Sequence, residues 1–340
     1  MSASTTRFNL SLPNRGVLLG FLSAEDLLDA ASRADASGLF GGISVGDNLL
    51  EKPRLEAIAL LGALTARTRH VRLNVGCLST FVLRDPILFA IQWASLDILS
   101  GGRMELSVCI GGGDDREMVP YRMNRRERVP RLLETLAVVR RLWTEDHVSV
   151  AGRFHRFEDV TALPKPVQKR PPVYLASLPE PDAPAEVVDR MLRRALDHAD
   201  GWHPTGLTPS RFGELRGRLE ALAAESGRDL SDFSVGCGSL VNIQSDPARA
   251  RSEAEEYVRR YWPDTHGPSS FERLISGGPR EVADGLLRYW DAGCRNLSVR
   301  IGAVRYEGQL PRLIDEVMPL VWESVRARGG IAMPERAPRA

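Results

Sequence analysis

The sequence predicts an α/β fold, a (β/α)8 TIM barrel with an insertion. Three observations carry this. Strand-like and helix-like segments alternate eight times along the chain. Helical patterns end in glycine turns that feed at once into apolar runs; the plainest case is Leu96 to Arg103 leading into Met104 to Ile110, which stops at Gly111-Gly112-Gly113. No shift of composition divides the chain, so the alternation belongs to one sheet. An open, doubly wound sheet is the competing architecture.

The first strand is expected near Phe8 to Leu12, with a possible continuation through Val17 to Leu19. Ser23-Ala24-Glu25-Asp26 reads as a capping box, Leu27, Leu28, Ala31 and Ala34 share one helix face, and Gly38 ends the helix. Leu39 to Val45 is the second strand. A helix from Pro53 to Thr65 follows, with proline in its first turn. Val71 to Cys77 is the third strand, Pro86 to Leu99 a helix, and Met104 to Ile110 the fourth strand. Val129 to Trp143 carries Leu132, Leu133, Leu136, Val139 and Leu142 on one stripe. His147 to Phe157 alternates around Gly152 as a small hairpin. The fifth strand is Val173 to Ser177, approached through Pro164, Pro166, Pro171 and Pro172. A helix Ala185 to His198, a short sixth strand to Trp202, a helix Arg211 to Glu225 and a seventh strand Phe233 to Ile243 complete the next units. Residues 244–276 read as an insertion with one helix, Ala248 to Tyr261, followed by polar and aromatic turns. Pro279 to Trp290 is a helix ended by Gly293, Asn296 to Ile301 the eighth strand, and Leu310 to Ala327 the last helix. Residues 1–328 are thus expected to form one barrel domain, and 329–340 a flexible tail.

Composition narrows the function. With 340 residues, 26% of them charged, and a net charge of +1, the chain has no electrostatic footprint for nucleic acid or a membrane surface. No apolar run approaches the roughly 18 residues of a membrane span, and no signal peptide is visible. Cys77, Cys109, Cys237 and Cys294 form no C-x-x-C pair and sit in strand-like runs. They read as buried reduced thiols, which implies a cytoplasmic location.

In a (β/α)8 barrel the active site lies at the C-terminal ends of the strands. That rule selects Asp47 and Asn48, Gly76 to Thr80, Gly111 to Asp115, Ser177, His203 and Arg300. The glycines at 111–113 would let a planar ring or a phosphate approach the backbone, or simply make a tight turn. Asp114 could supply acid–base chemistry, although loop carboxylates are usually just solvated. His203 is the one histidine at a strand top, and a solvated loop histidine is the alternative. No histidine pair has metal-ligand spacing, so no metal is expected. No G-x-S-x-G elbow is present. Of the aromatic set Phe81, Trp93, Trp202, Tyr257, Tyr261 and Trp262, the last three lie in the insertion and suit a lid.

Several of these segments resemble the luciferase-like monooxygenase superfamily. They are Asp85-Pro86, Ala94 to Arg103, Arg128 with Glu134, Leu136, Val139 and Leu142-Trp143, and the Gly152 hairpin. Pro164 to Gln168, Pro171-Pro172-Val173, Ala199 to Trp202, and Gly278 to Ala283 leading to Ala292-Gly293 also fit. The resemblance spans about Phe8 to Val325. It implies a barrel enzyme using FMN or the deazaflavin coenzyme F420. The ring would pack near Gly76, Cys77 and Leu78, where such proteins carry a bulge or a non-prolyl cis peptide. Gly111, Gly112, Gly113 and Asp47 would border the cofactor, and Ser177 matches a position that contacts its phosphate. Asp114 and His203 are the candidate catalytic groups.

The departures matter too. Relatives carry Asp-His or Glu-His after the second strand, where this chain has Asp47-Asn48, and Gly-Gly after the fifth, where it has Ala176-Ser177. The first functional expectation is a monooxygenase that uses reduced FMN from a separate reductase, with O2, to oxidise a small organic substrate. The second is an F420-dependent reductase or dehydrogenase. The third is a non-catalytic flavin-binding barrel. A homodimer through the helices after the second and third strands is also implied.

Overall fold

The computed structural model describes residues 6–111, 115–263 and 273–330. Its strands are β1 (Arg7–Ser11), β2 (Gly42–Val45), β3 (Arg72–Leu78), β4 (Met104–Val108), the hairpin β5 (Val148–Ala151) and β6 (Arg156–Val160), β7 (Val173–Leu175), β8 (Gly201–Trp202), β9 (Ser234–Ile243), β10 (Leu274–Gly277) and β11 (Asn296–Ile301). Eight of them close into a parallel barrel in the order β1, β2, β3, β4, β7, β8, β9, β11, with β11 pairing back on β1. This is the predicted (β/α)8 fold. β10 is an addition. It pairs with the upper half of β9, on the edge that β8 occupies lower down.

The helices are α1 (Ala24–Ser37), α2 (Ala57–Arg67), α3 (Pro86–Ser100), α4 (Asp115–Met118), α5 (Arg128–Thr144), α6 (Ala185–His198), α7 (Pro209–Ser226), α8 (Pro247–Tyr261), α9 (Pro279–Asp291), α10 (Gln309–Arg312) and α11 (Met318–Ala327). A π-helical turn, Leu313–Val317, joins the last two. Alternate strand residues such as Phe8, Leu10, Ile43, Leu73, Val75, Leu106, Val108, Trp202 and Val299 are buried in the core between strands and helices. Burial of apolar side chains in that layer is the main favourable term for the fold.

Two of the segments that carry the resemblance, the α3–β4 turn and the Glu134–Gly152 pair, lie away from the strand tops. Gly101 and Gly102 both take a positive φ at the α3–β4 turn. Asp97 is buried there and accepts from the backbone N–H and the amide of Gln168, at 2.9 and 2.7 Å. The Arg103 guanidinium donates to the carbonyls of Ser100 and Val71 at 2.7 and 2.8 Å and to the Thr68 hydroxyl at 2.9 Å. Glu134 accepts three backbone N–H bonds, from Arg153, Phe154 and His155, and so holds the Gly152 turn. These residues tie helices to strand entries and contact no strand top.

Four expectations are corrected. Val17 to Leu19 is a turn. The second helix starts at Ala57, capped by the Glu56 carboxylate, rather than at Pro53. The insertion ends in a strand, β10. Cys77 and Cys109 are bonded in a disulfide, so two of the four cysteines are not reduced thiols. They are 32 residues apart in sequence, but β3 and β4 are neighbours and their Cα atoms lie 6.1 Å apart. Cys237 and Cys294 remain buried thiols, and burial pushes that of Cys237 up to about 12. Among the described residues no helix is long and apolar enough to cross a membrane.

Candidate active site

The barrel interior is polar. Alternation along β1 turns Arg7, Asn9 and Ser11 away from the apolar layer that holds Phe8 and Leu10. β1 and β4 are not neighbours, so the bidentate pair from Arg7 to Glu105, with both contacts at 2.7 Å, crosses the barrel. Burial works against the charge on Glu105, but the Arg7 guanidinium beside it holds its carboxyl below the usual range. Asn9 donates to Asn296 at 2.5 Å. This floor is made possible by small residues: a Cβ on Gly201 would lie 2.8 Å from the Tyr174 ring, and one on Gly236 would lie 3.0 Å from the His203 ring.

His203 belongs to this floor. Its ring stacks on Tyr174 with centroids 4.0 Å apart, and its Nε2 is 2.8 Å from the Ser234 hydroxyl. Burial pushes its pKa down to about 3, so the imidazole is neutral at physiological pH. The sequence placed it at a strand top beside the other candidates; the structure places it with Arg7, Glu105 and Tyr174 instead.

Above the floor, the strand ends build the mouth. β3 and β4 shift register between Val75 and Leu78, and the Gly76–Cys77 peptide is cis. This is the bulge or cis peptide that the resemblance implies. Asp47, after β2, is buried. It accepts from the Thr80 backbone N–H and hydroxyl, both at 2.8 Å, and faces Arg84 at 3.5 Å. Burial raises its pKa, against the pull of Arg84. The carboxylate therefore fastens the β2 loop to the β3 loop. Asn48, standing where relatives have histidine, donates to Ser79 at 3.1 Å and accepts from Arg54 at 3.0 Å.

Two further residues, which sequence reasoning missed, lock the same loops. Asn14 brackets Gly46, accepting its N–H at 3.1 Å and donating to its carbonyl at 2.9 Å. Glu117 accepts from the N–H groups of Leu49, Leu50 and Glu51 at 2.7 to 2.9 Å. Neither carries a motif, because each acts on backbone far away in sequence. Gly111, after β4, has φ +79, and a Cβ there would meet the Ser79 carbonyl at 2.9 Å. Gly112, Gly113 and Asp114 lie outside the described residues. Ser177, after β7, uses its carbonyl to accept from the Trp202 indole at 3.0 Å, while its buried hydroxyl has no hydrogen-bond partner among the described residues.

The opposite rim comes from the insertion and β11. Tyr257 and Tyr261 are buried and stacked, with centroids 4.9 Å apart. Arg300 donates to the Ser11 hydroxyl at 2.7 Å. Phe81, Trp93 and Trp202 are core residues: Phe81 meets Phe89 edge-on, Trp93 stacks on Phe89 and Trp202 on Phe212. Among the described residues no cluster could hold a metal ion.

Comparison with known proteins agrees with the fold. The chain is 31% identical over 326 residues to an F420-dependent glucose-6-phosphate dehydrogenase of Amycolatopsis mediterranei, covering 86% of this chain and 93% of that one. It is 24% identical over 306 residues to an FMNH2-dependent dimethylsulfone monooxygenase of Pseudomonas putida, covering 80% of each. A crystal structure of a monooxygenase from Streptomyces bottropensis superposes with a TM-score of 0.78 at 21% identity, over 94% of this chain and 99% of that one. The family described as luciferase-like monooxygenase matches residues 6–296. The chain belongs to the luciferase-like monooxygenase family.

Proposed function

We propose that this chain is an oxidoreductase whose redox cofactor, FMN or F420, lies across the barrel mouth, and which acts there on a small organic substrate. The carrying observation is the buried hydroxyl of Ser177. An unpaired buried hydroxyl costs on the order of 1–3 kcal/mol, and a cofactor phosphate would satisfy it. The β3 bulge at Gly76, Cys77 and Leu78 would carry a planar ring, with Gly111 at its border, where Met118 and the Ser79 carbonyl crowd the Cα. Bound there, the ring supplies a two-electron redox centre. The chain's own residues hold it in place: Ser177 at the phosphate end, with Asp47, Asn14 and Glu117 keeping the bordering loops fixed. Gly112 and Gly113 remain cofactor-binding candidates and Asp114 an acid–base candidate in this reading. His203 supports the floor beneath it, with its neutral ring held by Ser234.

Reduced FMN from a separate reductase, with O2 as co-substrate, is the first reading of the chemistry. Asn48 favours it, since the imidazole expected of a proton-exchanging dehydrogenase is missing after β2. The second reading is an F420-dependent dehydrogenase, favoured by the longer and more identical match to the Amycolatopsis protein. Anaerobic titration with reduced FMN and with F420, side by side, separates them. Binding of neither would overturn the proposal, as would a Ser177→Ala variant that binds the preferred cofactor as tightly as the parent. A second copy of the chain would dock on the outer faces of α2 and α3, where Leu88 and Leu99 are 56% and 66% exposed. Within one barrel domain, residues 244–276 then act as an insertion at the rim. The cell compartment that fits a reductase partner is the cytoplasm.

A further inference from the structure

We propose that the barrel mouth holds a built receptor for an oxyanion, and that the substrate is a small organic anion bearing a phosphate, sulfonate or carboxylate group. This rests on the reading of the mouth as the active site and names its substrate class. Three guanidinium groups alternate with two aromatic rings along the rim. Arg54 lies 6.0 Å from the centre of the Tyr261 ring. Arg300 lies 5.3 Å from Tyr261 and 5.6 Å from Trp262. Arg273 lies 5.5 Å from Trp262. The five residues come from the β2 loop, the end of α8, the start of β10 and the end of β11, so the fold gathers them from distant segments.

Among the described residues the three cations form no ion pair. Arg54 donates to the Lys52 carbonyl and the Asn48 amide oxygen, and Arg300 donates to the Ser11 hydroxyl. None of the three pairs with a carboxylate among the described residues. The nearby Asp47 is already taken by Thr80 and faces Arg84. Burial weakens the charged forms of Arg54 and Arg273, and the neighbouring charge of Arg300 adds to this at both. Each cation nevertheless keeps part of its surface open.

An aromatic face repays only about 0.5–2 kcal/mol of a cation's desolvation. Simple packing of the insertion would be served as well by neutral side chains, whereas a guanidinium fork matches an oxyanion in geometry and charge. Ser11 and Arg300 stand at strand C-terminal ends, the face where barrel enzymes bind substrate.

The test uses the full-length protein without cofactor. Methyl phosphate, methanesulfonate and acetate are titrated at constant ionic strength, followed by tryptophan fluorescence and thermal shift. At least one is expected to bind saturably. Arg300→Gln should weaken it tenfold or more, and Arg300→Lys should restore part of the loss. If Arg300→Gln does not fold, Arg273→Gln at the rim carries the comparison, with a severalfold loss expected. Absence of a saturable response to all three anions overturns the receptor, as does parental affinity in both glutamine variants. FMN and F420 titrations on the same preparation keep the two claims apart. Anion binding without ring binding would sink only the redox reading, and ring binding without anion binding only the receptor.

Discussion

The floor and the mouth of this barrel both bury charge, but they balance it differently. At the floor Arg7 is matched by Glu105, His203 by Ser234 and Asn9 by Asn296. At the mouth Arg54, Arg273 and Arg300 face rings and neutral oxygens, and the Ser177 hydroxyl has no hydrogen-bond partner among the described residues. A buried polar network is stable when every member is satisfied, and costly when one is not. The floor pairs its charges as folded, with only the Asn9 amide oxygen left over among these groups. In the proposed reading, a ligand completes the mouth.

Substitutions at the two ends should break or sharpen that contrast. The largest effect is expected at the floor: Glu105→Ala strands Arg7 and should cost about 3–5 kcal/mol in urea unfolding. Retention of full stability would show that the pair is solvated. The next effect depends on pH. His203 titrates near 3 when folded and near 6.5 when unfolded. Below about 6.5 the unfolded chain therefore gains a proton that the folded chain refuses. Stability should fall with decreasing pH by up to about 1.4 kcal/mol per unit through this residue. His203→Asn should remove that part of the slope between pH 6.5 and 4.5; unchanged slopes would place the ring in water.

The mouth should behave in the opposite way. Arg300→Gln removes a cation with no carboxylate partner, so without ligand its stability should change by no more than about 1 kcal/mol, and an increase is allowed. A loss as large as that of Glu105→Ala would assign Arg300 a structural role. The smallest cost in stability is expected for Ser177→Ala, which relieves an unpaired hydroxyl and should leave the ligand-free chain as stable as the parent or up to about 1–3 kcal/mol more so, while cofactor affinity drops about tenfold, as loss of a charge-assisted hydrogen bond predicts.

The sequence revealed the floor's scaffold better than the mouth's contents. Helices α3, α5 and α6 fell within one residue of expectation at each end, because their apolar spacing and caps act locally. The α2 start did not, since residues 46–56 spend their backbone groups on Asn14 and Glu117, far away in sequence. Arg300 was visible as a strand-top residue. Arg54 and Arg273 were not, because their meeting with Tyr261 and Trp262 exists only once the barrel closes. The Cys77–Cys109 bond was hidden for the same reason: parallel neighbours are separated by a whole helix. His203 carried the right element and the wrong depth, since a two-residue strand leaves its next residue inside the barrel.

The placement of β10 has one more consequence. It lies on the same edge of β9 that the chain left, and the Gln244 N–H donates to the Gly277 carbonyl at 2.8 Å. The segment between them therefore departs and returns at one point of the wall. With both ends pinned at one place, a change of length or residues between them need not move any of the eight barrel strands. Because Tyr261, Trp262 and Arg273 all belong to this segment, substrate preference in such a barrel can drift while the fold beneath stays the same.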